Sequence, residues 1–253
     1  MAAVITLANQ KGGVGKTTSA VNIAAAVGAL GKRVLLIDAD PQGNASSGVG
    51  INKKSMRLST YDVLIGRASA ESVIIDTTFK NLWVMPSNIA LAGAEFELVT
   101  SDNRESRLRD ALSSVRDNFD YIFIDCPPSL GILTINALVA ADGVIIPMQC
   151  EFYAMEGLSQ LRVTISQIKK LYNPTIELTG ILITMYNGRL NLSLQVMAEL
   201  KKYYPDKLFS TPVPRMVRLS EAPGFGQPIM YFDKYSKGTA AYESVAAEII
   251  ERI

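Results

Sequence analysis

The stretch Lys11-Gly12-Gly13-Val14-Gly15-Lys16-Thr17-Thr18 decides the fold. A short apolar run, Ala3 to Ala8, precedes it, with polar Asn9 and Gln10 between. Behind it, Thr17 to Leu30 has helical spacing, with Val21, Ala24, Ala25 and Gly28 on one side and Gly31 as the stop. A glycine-rich turn from strand to helix lets backbone N–H groups curl round phosphate oxygens with no Cβ in the way. The positive end of the helix dipole favours the same anion. In this reading Lys16 lies along the β- and γ-phosphates as a point charge. Thr17 offers its hydroxyl to Mg2+, and Thr18 bonds the α-phosphate.

Working outward, apolar strands alternate with helical patterns. Arg33 to Ile37, Leu82 to Met85, Tyr121 to Ile124, Gly143 to Pro147 and Glu177 to Thr184 read as strands. Arg104 to Val115, Leu130 to Ala140, Leu190 to Tyr203 and Tyr235 to Ile253 read as helices, and Leu158, Leu161, Ile165, Ile168 and Tyr172 mark one further apolar helix face. Asp40 to Lys54 is mixed and polar. Strands spaced by helices of this length predict an α/β fold: a mostly parallel twisted sheet with helices on both faces. No linker or repeat interrupts it, so residues 1–253 are expected to form one phosphate-loop domain.

Composition narrows the chemistry. The chain has 253 residues, 25 basic and 24 acidic, no histidine and two cysteines. Without histidine there is no Ser-His triad, no His-ligated metal and no imidazole base. Two cysteines without paired spacing make neither a disulfide framework nor a zinc ribbon. Cys126 and Cys150 are expected to pack as small buried thiols. No run is long and apolar enough to span a bilayer, and the start has no basic leader, so a cytoplasmic location is expected.

Two acidic segments complete the phosphate site. Val34 to Ile37 leads into Asp38-Ala39-Asp40-Pro41-Gln42-Gly43-Asn44, and Tyr121 to Ile124 leads into Asp125-Cys126-Pro127-Pro128-Ser129. Both put carboxylates at strand carboxyl ends, where open parallel sheets bind ligands. The loop itself departs from G-x-x-x-x-G-K-[ST]: Gln10 stands where the first glycine belongs, and Lys11 adds a second lysine.

With Lys11 at its front, this is the deviant Walker A motif, and the chain resembles the ParA/MinD family of ATPases over nearly its whole length. The resemblance implies a Mg2+-dependent ATPase whose nucleotide contacts are Lys11, Gly12, Gly13, Val14, Gly15, Lys16, Thr17 and Thr18. Lys11 reaches the partner's phosphates in an ATP-closed homodimer, so Lys11, Lys16 and Asp40 carry catalysis. Asp40 orients the attacking water or its Mg2+ shell, Asp38 orders the loop, and Asp125 serves the metal beside Thr17 and Asp40. Adenine packs near Met185 and Pro214.

The segments Gln149-Cys150-Glu151 and Arg218-Leu219-Ser220-Glu221-Ala222-Pro223 resemble the chromosome-partitioning ParA type. That type binds DNA without sequence preference as an ATP dimer and is released when a ParB partner stimulates slow hydrolysis. Arg189 and Arg218 match its DNA-binding arginines, which implies an association with the nucleoid. Between Thr184 and Lys237, eight basic residues face four acidic ones, the local balance of a phosphate-binding patch. Three other readings stay open: another cargo carried by the same machinery, MinD-like membrane positioning, and an iron–sulfur reductase. The last helix carries Glu243, Glu248 and Glu251 against Arg252, which disfavours an anionic bilayer. The cysteine context disfavours the reductase.

Overall fold

The computed structural model describes residues 1–253. In chain order the strands are β1 (Ala3–Leu7), β2 (Val34–Asp38), β3 (Ile75–Asp76), β4 (Leu82–Met85), β5 (Tyr121–Asp125), β6 (Gly143–Met148) and β7 (Glu177–Ile183). The helices are α1 (Lys16–Ala29), α2 (Asn44–Gly48), α3 (Thr60–Leu64), α4 (Ala70–Val73), α5 (Leu91–Glu97), α6 (Arg107–Leu112), α7 (Ile132–Ala140), α8 (Ala154–Leu171), α9 (Asn191–Tyr203), α10 (Val217–Glu221), α11 (Ile229–Phe232) and α12 (Lys237–Arg252). One seven-stranded sheet has the order β3-β4-β2-β5-β1-β6-β7. Every pairing is parallel except β3 with β4.

Alternation along the strands sorts the core into two layers. Val4, Leu35, Ile37, Ile122, Ile124, Val144 and Ile146 point to one face, under Leu108 of α6, Leu133 of α7 and Leu161 of α8. Ile5, Leu7, Val34, Leu36, Phe123 and Ile145 point to the other, under α1 and α12. Both faces are covered, which is why the central strands are apolar at every position rather than at every second one. The apolar stripe of α12 (Ala241, Tyr242, Val245, Ala246 and Ile249) is part of this second layer and is buried.

Several boundaries differ from the sequence reading. Helix α1 is not one-sided: Ser19 and Asn22 are buried along with its alanines, because the helix lies between sheet and α12. The segment expected to be helical from Arg104 is helical only over Arg107–Leu112 and then turns as a 3-10 helix at Arg116–Asn118. The polar stretch after Asp40 contains α2, which starts at Gly43 with φ 62°. The edge strand β3 is two residues long, too short to show a period. Cys126 is buried as expected, whereas Cys150 is only half-buried, since it lies just past β6 beside the open end of the sheet.

Parallel register sets up the site. Leu7 pairs with Asp125, and Asp125 pairs with Asp38. The strands β2, β5 and β1 therefore end level, with the loop Ala8–Gly15 rising from β1, next to β5.

Candidate phosphate and nucleotide site

The loop is held from both sides by side chains. Asn9 donates its Nδ2 to the Pro147 carbonyl at 2.8 Å and accepts from the Lys11 N–H at 3.0 Å. The Thr184 hydroxyl donates to the Val14 carbonyl at 2.7 Å. Gln149 donates Nε2 to the Gly13 carbonyl at 2.7 Å. Gly13 and Gly15 have φ of 73° and 83°, a left-handed backbone that other residues adopt only with strain. The Gly13 and Val14 carbonyls are thus engaged, and the first N–H groups of α1 have no carbonyl partner within the helix.

Lys16 is 6% exposed, and its Nζ donates to the Lys11 carbonyl at 3.1 Å. Burial lowers its pKa, while Asp125, Cys126 and Asp40 favour its charged form. Thr17 and Thr18 are half-buried beside it.

The carboxylates differ by environment. Asp38 is enclosed: it accepts from the Ser46 N–H at 2.8 Å, the Ser46 hydroxyl at 2.7 Å and the Asp40 N–H at 3.2 Å. Burial pushes its pKa up to about 6, against the pull of the Ser46 bonds. Asp38 thus ties β2 to α2. Asp40 accepts from the Gln42 N–H at 2.9 Å and is 7% exposed. Asp125 is fully buried, and neither of its oxygens has a hydrogen bond of good geometry, although Thr17 lies close enough to favour its charge. Desolvation, then Asp38, pushes its pKa well above the usual range. A buried carboxylate without a donor is costly. A hydrated hard cation beside Thr17 would supply the missing charge and donors.

Beside the loop opens a cavity of about 870 Å3, whose lining includes Gly15, Thr18, Met185, Pro214, Arg189 and Tyr242. Met185 and Pro214 both line it. Met185 has φ 49°, and the Tyr186 N–H donates to the Val213 carbonyl at 2.9 Å, which fixes the two walls. Arg189 and Arg218 are both exposed. Arg189 is on the rim of this cavity. Arg218 instead reaches Glu221 and Asp233.

The chain is similar to known proteins over most of its length. The family described as AAA domain matches residues 2–178. The sporulation initiation inhibitor protein Soj of Bacillus subtilis is 53% identical over 249 residues, covering 98% of each chain. The chromosome partitioning protein ParA of Myxococcus xanthus is 49% identical over 98% of this chain and 88% of its own. The chain belongs to the ParA/MinD family. A solved structure of cobyrinic acid a,c-diamide synthase from Mycobacterium smegmatis, with bound ATP analogue and magnesium, is also similar: 37% identity, TM-score 0.87, covering 99% of this chain and 95% of that one.

Residues with no role assigned from this family member's sequence prove central to its site. Gln149, Glu151, Ser46 and Thr184 hold the loop or its neighbours. Glu151 pairs with Lys11 within the chain. The polar triplet Gln149-Cys150-Glu151 at the end of an apolar strand was the available signal for two of them. Ser46 and Thr184 carried none. No helix is long and apolar enough to cross a membrane.

Proposed function

We propose that the chain is an ATP-hydrolysing switch for partitioning chromosomal or plasmid DNA. The observation that carries the reading is near-half identity to a chromosome partitioning ParA across almost the whole chain, supported by the left-handed turns at Gly13 and Gly15 and by Lys16 folded back on the loop. In this reading ATP lies along residues 11–18 with its base between Met185 and Pro214. Mg2+ neutralises phosphate charge when bound, held by the Thr17 hydroxyl with Asp125 and Asp40 around it.

Hydrolysis then needs little covalent chemistry from the protein. Asp40, at the open end of β2, orients a water towards the γ-phosphorus. The new P–O bond forms as the bond to the β–γ bridging oxygen breaks, leaving ADP and phosphate. Lys16 and the loop N–H groups hold the charge that builds on the leaving oxygen. Lys11 of a second copy adds charge from across an ATP-closed homodimer. With no histidine and no strong base in the site, intrinsic turnover is slow, well below the kinase range of roughly 1–100 s⁻¹. The dimer binds DNA without sequence preference through Arg189 and Arg218, and a ParB-type activator triggers release. The working place of such a switch is the nucleoid, in the cytoplasm. The burial of the α12 stripe in the core leaves that helix no free apolar face for a membrane, which favours DNA as the surface.

The test is binding of a mixed-sequence DNA duplex with ATP, ADP or no nucleotide, at low and moderate salt. ATP-dependent binding, lost in Lys16→Ala and Arg218→Glu but kept in Asp40→Ala, supports the switch. No binding in any state removes DNA from the reading and leaves an ATPase with a different cargo.

A further inference from the structure

Arg218 does not offer a free positive charge. Its Nη1 donates to a Glu221 carboxylate oxygen at 3.3 Å, and its Nε lies 3.6 Å from an Asp233 oxygen. Its guanidinium carbon sits 5.5 Å from the centre of the Phe232 ring. Two carboxylates thus already engage this guanidinium. A DNA phosphate arriving there must compete with them for the same N–H groups.

Both carboxylates stand on segments tied to the nucleotide site, and to different parts of it. Asp233 closes α11, with its N–H donating to the Ile229 carbonyl at 2.7 Å. The Ile229 N–H donates in turn to Asn22 Oδ1 at 2.6 Å, and Asn22 Nδ2 donates to the Thr18 carbonyl at 2.7 Å. Asp233 is therefore three bonded steps from the phosphate loop. Glu221 ends α10 and runs into the turn Ala222–Phe225, followed by Gly226. A Cβ at Gly226 would meet Gly50 Cα at 2.7 Å, so this turn lies backbone to backbone on the end of the arm that begins at Asp40. Movement of either the Asp40 arm or the start of α1 would shift one partner of Arg218 relative to the other.

We propose that Glu221 and Asp233 form a carboxylate gate on Arg218, which competes with DNA phosphate and is loosened when ATP occupies the loop. The inference rests on the DNA reading of Arg218 above. It makes the two acids a device that couples nucleotide state to DNA affinity rather than incidental surface pairs.

The experiment measures affinity for a mixed-sequence DNA duplex, with and without ATP, for wild type, Glu221→Gln, Asp233→Asn and the double variant. Glu71→Gln, an exposed acid on α4 outside any ion pair, controls for the change in net charge. ATP affinity and far-UV circular dichroism verify that each variant keeps its fold and its loop. The gate predicts a gain of about two- to fivefold from each exposed pair removed, larger without nucleotide than with ATP, so that the ATP-dependence of binding shrinks. Wild-type binding with no gain in the variants, an equal gain in Glu71→Gln, or an equal gain in both nucleotide states overturns the gate and leaves the DNA reading intact. Absence of DNA binding in wild type and variants alike overturns both.

Discussion

Lys11 and Glu151 form an ion pair inside one chain. Glu151 stands just past β6, and the pair spans the mouth of the phosphate loop from outside. Gln10 and Gln160 add a second clasp at 2.6 Å from α8. A lysine proposed to act on a partner's phosphates is thus engaged at home in the single chain. Both side chains are about half exposed, at 48% and 45%, so the pair is worth only about 0–1 kcal/mol. A contact that weak restrains Lys11 without locking it.

Glu151→Gln should therefore shift ATP-dependent dimerisation to lower protein concentration by up to about fivefold. Light scattering across a dilution series with an ATP analogue checks this. An unchanged or weaker dimer would show that Glu151 does not compete with the partner for Lys11.

Lys16→Ala should lower ATP affinity by about 10- to 150-fold, the worth of a charge-assisted bond. Isothermal titration gives the number. Folding should be retained, because the buried ammonium is held by one carbonyl and is itself desolvated. A variant that binds ATP as wild type does would remove Lys16 from the site.

Asp40→Ala should bind ATP and lose hydrolysis by about 100-fold or more, in line with loss of a group that positions the attacking water. Phosphate release in single turnover separates this from weakened binding. A parallel loss of ATP affinity would make Asp40 a binding residue instead.

The pH dependence of stability should carry the mark of the buried carboxylates. Asp38 titrates at about 6 in the fold and near the ordinary carboxylate value when unfolded, so between these the folded chain holds the extra proton. Stability then falls as pH rises through that window. Asp125, also raised, acts in the same sense. Asp120 and Glu105 are lowered, by their bonds to Arg33 and Arg104, so they act oppositely but only at lower pH. The nucleotide-free, magnesium-free protein should melt higher at pH 5 than at pH 7.5, and Asp38→Asn should flatten the difference. A melting temperature that rises over the same interval would contradict this assignment.

Gly28→Ala tests the packing of α1. Its Cβ would meet the Lys80 carbonyl oxygen at 2.6 Å, which is backbone and cannot rotate away. Overpacking of this kind costs about 1–3 kcal/mol, and the better helix propensity of alanine offsets less than about 1 kcal/mol. At this chain length each kcal/mol lowers the melting temperature by roughly 2–4 °C. A melt at or above the wild-type temperature would show that β4 and α1 can part without cost.

The local chemistry was legible along the chain. Gly13 and Gly15, Lys16 and Thr17 share one short stretch, and their roles follow from spacing on a strand-to-helix turn. The strand ends at Asp38 and Asp125 were legible because buried parallel strands are apolar throughout and stop at the first charge. Short elements were not: β3 and α2 span two and five residues, too few for a strand or helix period to repeat.

Relationships between distant residues came only with the tertiary structure. Sequence placed Asp38 and Asp125 at strand ends, but parallel register across β2 and β5 made them neighbours and the packed layers buried both, and burial raises both pKa values, with Asp38 adding to the rise at Asp125. The family resemblance gave Lys11 to a partner's phosphates and Arg218 to DNA. Folding brought Glu151 to the first, 140 residues away, and Asp233 to the second. Periodicity and turn chemistry act over a few residues, so they write the loop and the strands into the sequence itself. Charge pairing acts over a few ångströms of space, and only the packed chain decides which charges share it.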